Sequence, residues 1–125
     1  MVKLLLDTNF LMVPFQFGVD IYSEFDRILH EPYTMFTITA VEDELVRLSK
    51  TKPAAAAALK LAKLKKVRII QNPADSPQGT DPKILAAAES EGAAVCTNDS
   101  ALRRQARVKG LRVITLRQMS HLVEA

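Results

Sequence analysis

This sequence is poor in the residues that build soft metal sites and covalent staples. It has one cysteine, two histidines and no tryptophan in 125 residues. A lone cysteine excludes an intrachain disulfide and a cysteine zinc cluster. Cys96 lies between Val95 and Thr97 in a strand-like run, and reads as a small buried core residue rather than a reactive thiol. His30 and His121 stand in unrelated contexts and make poor metal ligands. Long apolar runs are missing too. None reaches the roughly 18 residues of a membrane span. The N-terminal apolar run is broken by Asp7 too early for the apolar core of a secretory signal. These absences predict a cytoplasmic protein without membrane association. Acids are missing from one long stretch: Leu45 to Ala74 carries eight basic residues and no acid.

What is present suits an ordinary globular chain, with 48% hydrophobic and 25% charged residues. The length predicts a single domain over residues 1–125, able to bury roughly two-thirds of its unfolded surface. Net charge is +3. The bases fall in two groups, Arg47 to Arg68 and Arg103 to Arg112. Such asymmetry points to a polyanionic partner, with nucleic acid the usual one, or to a solvated lysine face.

Strand-like and helix-like runs alternate along the chain. Strands are predicted at 2–6, 35–38, 67–71, 93–97 and 112–116. Helices are predicted at 9–13 (ending near Pro14), 19–30, 39–49, 53–65, 81–91 and 100–109, with a short terminal one at 118–123. Residues 72–80 read as an exposed loop. This alternation implies βαβ units and a parallel sheet. The strands are continuous apolar runs, as expected when helices cover both sheet faces. Ligands in such sheets bind at the carboxyl ends of the strands.

Carboxylates gather at those ends. Asp7 follows "KLLL" and Asp99 follows "AAVCTN", so both lie on one edge of the predicted sheet. Asp81 opens a helix, and topology alone leaves open which edge it faces. Each of the three also has a bland reading as a helix cap. In "TAVEDELVRLSK", Thr39 and Glu42 have the spacing of a capping box. Glu44 lies on the edge of the apolar stripe formed by Val41, Leu45 and Leu48, whereas Asp43 faces the polar side. A carboxylate leaning toward the core needs a partner, and no fixed base stands near the strand ends. A shared cation would satisfy Asp7, Glu44 and Asp99 together. Oxygen ligands without histidine or cysteine suit Mg²⁺ or Mn²⁺. Carboxylate-held Mg²⁺ also meets substrate phosphates, which points to phosphodiester hydrolysis.

"LLLDTNFL", "VEDEL", "TDPKIL" and "VCTNDSALRRQA", in this order, resemble the PIN-domain nuclease family over nearly the whole chain. The look is nearest to the archaeal and eukaryotic small-subunit ribosomal RNA processing nucleases, and more distantly to the toxins of toxin–antitoxin pairs. The resemblance implies a three-layer α/β/α sandwich around a parallel sheet. It implies an endoribonuclease dependent on Mg²⁺ or Mn²⁺ that cleaves single-stranded RNA. Asp7, Glu44, Asp81 and Asp99 would be the catalytic and metal-binding acids, with Asp81 beside the others. Asn9 would orient Asp7, and Thr97 would support the cluster. Arg103, Arg104 and Arg107 are expected to contact RNA. The family often forms homodimers, and an antitoxin or a pre-ribosomal particle is the further partner expected. Pro82, Ala101 and Leu102 stand where many members carry additional acids. The competing readings are a catalytically silent RNA-binding scaffold and another acidic-pocket α/β protein. Against the second, Asn9 stands where a haloacid-type phosphatase wants an aspartate.

Overall fold

Val2–Leu6 (β1) is the middle of a six-stranded sheet in a computed structural model that describes residues 1–125. Leu4, Leu5 and Leu6 are fully buried, which explains the near-continuous apolar run. The chain then runs through Thr8–Gln16 (α1), Ile21–Ile28 (α2), Tyr33–Ile38 (β2), Thr39–Leu48 (α3), Pro53–Leu64 (α4) and Arg68–Ile70 (β3). It returns through Thr80–Glu91 (α5), Ala94–Cys96 (β4), Ser100–Val108 (α6), Val113–Arg117 (β5) and His121–Glu124 (β6). The strand order is β3-β2-β1-β4-β5-β6. β1 to β5 are parallel, with Leu4 beside Met35 on one side and Ala94 on the other.

The chain winds outward from β1 to β3, then crosses back to β4 on the far side of β1. With right-handed crossovers, this puts α1, α3 and α4 on one face and α5 and α6 on the other. The result is a three-layer α/β/α sandwich. The winding reverses between β1 and β4. That crevice, outside the carboxyl ends of the two strands, is the place where open α/β sheets bind ligands. No helix is long and apolar enough to cross a membrane.

α4 owes its place to small residues. Ala55, Ala58 and Ala62 recur at helical spacing and are buried, so the helix packs closely against α1 and α3. Its outer face is left to lysines.

The structure differs from the sequence reading in three elements. The segment 118–123 is not a helix. Gln118 and Met119 both have positive φ, 54° and 52°, and Ser120 N donates to the Arg117 carbonyl. This is a type I′ turn, and it sends the chain back as β6, antiparallel to β5. The sheet is therefore mixed, with one antiparallel edge strand. α1 does not end at Pro14 but continues to Gln16, with Pro14 inside it. Phe10, Leu11, Met12 and Val13 are buried and hold that helix against the core. Finally, the capping box at Thr39 does not form. The Thr39 hydroxyl accepts from Asn72 N at 3.2 Å, and the Asn72 side chain accepts from Ala40 N at 2.9 Å. The start of α3 is capped across 32 residues of sequence rather than locally.

Candidate acidic site

The crevice at the end of β1 and β4 holds four acids. Asp7 is the first residue beyond β1, 5% exposed, and it caps α1 by accepting from Phe10 N at 2.7 Å. Its other carboxylate oxygen accepts from the fully buried Thr97 hydroxyl. Thr97 Oγ1 in turn accepts from Asp99 N at 3.0 Å. Asp99 caps α6 through Leu102 N at 2.8 Å. Both aspartates are therefore caps and members of the cluster at once.

Asp81 arrives from the other layer. Gly79, at φ 97°, turns the loop into α5 and places Thr80 and Asp81 in its first turn. A left-handed residue there favours glycine, and an added Cβ would lie 3.3 Å from Pro82 Cδ. Asp81 makes no cap hydrogen bond, so its capping reading does not hold. Glu44 comes from the middle of α3 and is half-buried, while Asp43 is exposed, as the helical spacing predicts.

Asp7, Glu44, Asp81 and Asp99 line one cavity of about 50 Å³. Asn9, Thr8, Thr80 and Ile84 complete its wall. Thr8, Thr80 and Ile84 escape the sequence reading, although Thr8 and Thr80 are direct neighbours of acids already singled out. Asn9 lies at the rim and does not orient Asp7; the Phe10 amide and the Thr97 hydroxyl do that. Asn98 also escapes that reading. Its side chain accepts from Leu116 N at 3.1 Å and pins the turn between β4 and α6.

The electrostatics are those of crowded carboxylates. Burial pushes Asp7 up to about 7, and Asp81 and Asp99 add to the effect; the Thr97 and Phe10 hydrogen bonds oppose it. Asp81 is raised by burial, then by the negative charges of Asp99 and Glu44. One base touches the ring. Arg47 Nη2 lies 3.7 Å from Glu44 Oε2, one turn along α3 and 70% exposed, so the expectation that no base stands near is corrected at Glu44.

The donor set is all oxygen and strongly acidic, which fits a hard cation. The Thr8 hydroxyl adds an orphan. It is buried, lines the cavity and has no hydrogen-bond partner. No three carboxylates stand at direct ligating distance from a common point, so one ion bound by Asp7, Glu44 and Asp99 together is not the arrangement seen. A space of about 50 Å³ holds an ion with a few waters, since one water needs roughly 10–15 Å³. That suits Mg²⁺, which keeps part of its water shell.

None of the three arginines of α6 forms an ion pair with the acids. Arg103 is half-buried, with Nη1 3.5 Å from Thr115 Oγ1, and Arg107 is exposed. Arg104 borders a surface groove of about 720 Å³ between α5 and α6.

A family model described as "PIN like domain" matches residues 4–119. The chain belongs to the PIN-like domain family. The PIN-like match takes in all four acids. Ribonuclease VapC4 of Methanocaldococcus jannaschii is 30% identical over 97% of this chain and 95% of its own length. The PIN-like fold recurs in the PIN domain endonuclease Utp24, with a TM-score of 0.82 at 19% identity. That likeness covers 98% of this chain and 90% of the other. VapBC2 from Rickettsia felis, solved bound to a DNA fragment from their promoter, has a TM-score of 0.68 at 19% identity. There the shares are 93% of this chain and 100% of the other.

Proposed function

We propose that this PIN-like protein is an endoribonuclease that hydrolyses single-stranded RNA at the pocket formed by Asp7, Glu44, Asp81 and Asp99, with Mg²⁺ or Mn²⁺ held by these acids. One observation carries the reading: four carboxylates from both helix layers and two strand ends line one small cavity, and the one base that pairs with any of them is the exposed Arg47. Such a cluster is costly unless positive charge joins it. The 30% identity to a ribonuclease along almost the whole chain supports the same activity.

The chain's own residues set the stage. The Phe10 amide and Thr97 hydroxyl fix the direction of the Asp7 carboxylate. Burial raises Asp7 to about 7, so it gives up its proton near neutral pH, and Asp81 is shifted in the same direction by burial and by the charges of Asp99 and Glu44. Asp99, anchored at the head of α6, lies close enough to Asp81 for its charge to raise it. Asp7, Glu44, Asp81 and Asp99 would hold a divalent cation, which would supply an activated water and positive charge to offset that on the scissile phosphate. Asn9, at the rim, is a position for contact with RNA rather than with Asp7.

A second reading, the toxin of a toxin–antitoxin pair, is favoured by the identity to VapC4. A gene for a small antitoxin beside this one, whose product blocks cleavage, would establish it.

The test is cleavage of a labelled single-stranded RNA in Mg²⁺, Mn²⁺ and EDTA, by wild type and Asp7→Asn in parallel. Cleavage that needs the cation and is lost in the variant is the expected result. Equal cleavage by both proteins, or none by either, would sink the proposal.

A further inference from the structure

The charge of this protein is compensated unevenly. Lys3, Arg27, Lys109 and Arg112 each hold a carboxylate within 4 Å. Between Arg47 and Arg68 lie eight bases and no acid, and only Arg47 has an ion pair, the loose one to Glu44. Lys65 sits over the Tyr22 ring, 5.8 Å from its centroid. The rest point outward with nothing to neutralise them.

The layout of that charge is directional. Arg47 stands at the rim of the acidic cavity. Two residues on, Ser49 forms one wall of a surface trough of about 420 Å³ between the end of α3 and α4. Ala56, Ala57 and Leu59 make its floor, and Lys60 and Lys63 its edge. The small side chains keep the floor low, and Ala56, Lys60 and Lys63 follow one stripe of the helix. A low apolar floor with cations along one side fits the sugar–phosphate backbone of a flexible single strand.

We propose that Arg47 and the Lys60–Lys63 edge of α4 form the track along which single-stranded RNA leaves the acidic pocket. This rests on the ribonuclease reading above and assigns a substrate path to a surface on the opposite helix layer from Arg103, Arg104 and Arg107. Arg47 exchanges its exposed pairing with Glu44 for a backbone phosphate next to the cleaved one. Lys60 and Lys63 hold phosphates further along. The contacts are to backbone only, so the track adds affinity without base preference.

The test is binding of a labelled single-stranded RNA of mixed sequence to the full chain in EDTA, by fluorescence anisotropy across a salt series. The proteins compared are wild type and the triple variant Arg47→Gln, Lys60→Gln, Lys63→Gln. Each phosphate contact on a single strand contributes about 0.7 to the slope of log K against log salt, so the triple variant should lose about 2 from that slope. Its affinity at low salt should fall tenfold or more, while its melting temperature stays within about 2 °C of wild type, as expected for exposed substitutions. An unchanged slope overturns the track. So does loss of binding to a DNA duplex of equal length with RNA binding intact, which would assign the surface to another polyanion. Wild-type cleavage, measured separately, keeps the two proposals apart. A cleaving triple variant with a wild-type slope defeats the track alone. RNA binding that depends on the track, without cleavage by wild type, defeats the nuclease alone.

Discussion

Thr97 shows how much one small side chain can organise. It is fully buried between two acids, donating to Asp7 and accepting from the Asp99 amide. Thr97→Val keeps the shape and removes both bonds. The Asp99 amide then loses its acceptor, and the Asp7 carboxylate loses a group that holds its pKa down. The expected cost is about 1–3 kcal/mol of stability by calorimetry. The acidic limb of the pH–rate profile should also move upward, and Thr97→Ser should restore both properties. A valine variant with wild-type stability and pH profile would show that the hydroxyl is a bystander. Thr97 was legible in the sequence only as a position in a resemblance; its two partners are a fact of packing. Cys96 was legible more directly. Its apolar neighbours predict the fully buried thiol that is found, which burial pushes well up.

At the scale of elements, α3 matters because it carries both Glu44 and Arg47. Its N-terminus is held by Asn72, beyond β3, and not by its own first turn. Asn72→Ala should cost about 1 kcal/mol, as for loss of an N-cap, and should lower cleavage by loosening the helix that presents Glu44. Asn72→Asp, which keeps the acceptor for Ala40 N, should recover most of the stability. Equal stability in Asn72→Ala and wild type, measured by denaturant unfolding, would mean that the Thr39–Glu42 spacing acts after all. β6 makes a related point. Its Leu122 amide donates to Glu24 and its carbonyl accepts from Arg27, both from α2. Side chains thus occupy polar groups that an edge strand would otherwise offer to another chain. Nothing in 118–123 announces a strand, because its turn lacks the Asn-Gly or Asp-Gly pair that type I′ geometry favours. Gln118 and Met119 adopt positive φ under the constraint of pairing with β5.

At the scale of the whole molecule, the fold brings the acids together against their repulsion, and stability should record it. In EDTA the folded state keeps a proton on Asp7 that the unfolded chain gives up above about pH 4. The folded state binds more protons across that interval, so stability should fall as pH rises from about 4 to about 7 and level off above. Asp7→Asn, whose amide oxygen can still cap α1, should flatten that fall in melting temperature. Parallel curves for the two proteins would place the titration elsewhere. Millimolar Mg²⁺ or Mn²⁺ should raise the wild-type melting temperature by mass action, most strongly above pH 7, where Asp7 is ionised. No rise would remove the cation from the proposed mechanism.

The alternation of apolar strands with amphipathic helices is written locally, in periods of two and 3.6 residues. The sequence by itself therefore determined the α/β class and put Asp7 and Asp99 on one sheet edge. The lean of Glu44 toward the core followed from helical spacing alone. Three things waited for the tertiary structure. Which edge Asp81 faces depends on how the loop after β3 turns at Gly79. The cap of α3 depends on a residue 32 positions away. The reversal of the last strand depends on a turn whose residues do not prefer it. Each is decided by contacts distant in sequence, and the free energy that selects them comes from packing and hydrogen bonding across the sheet.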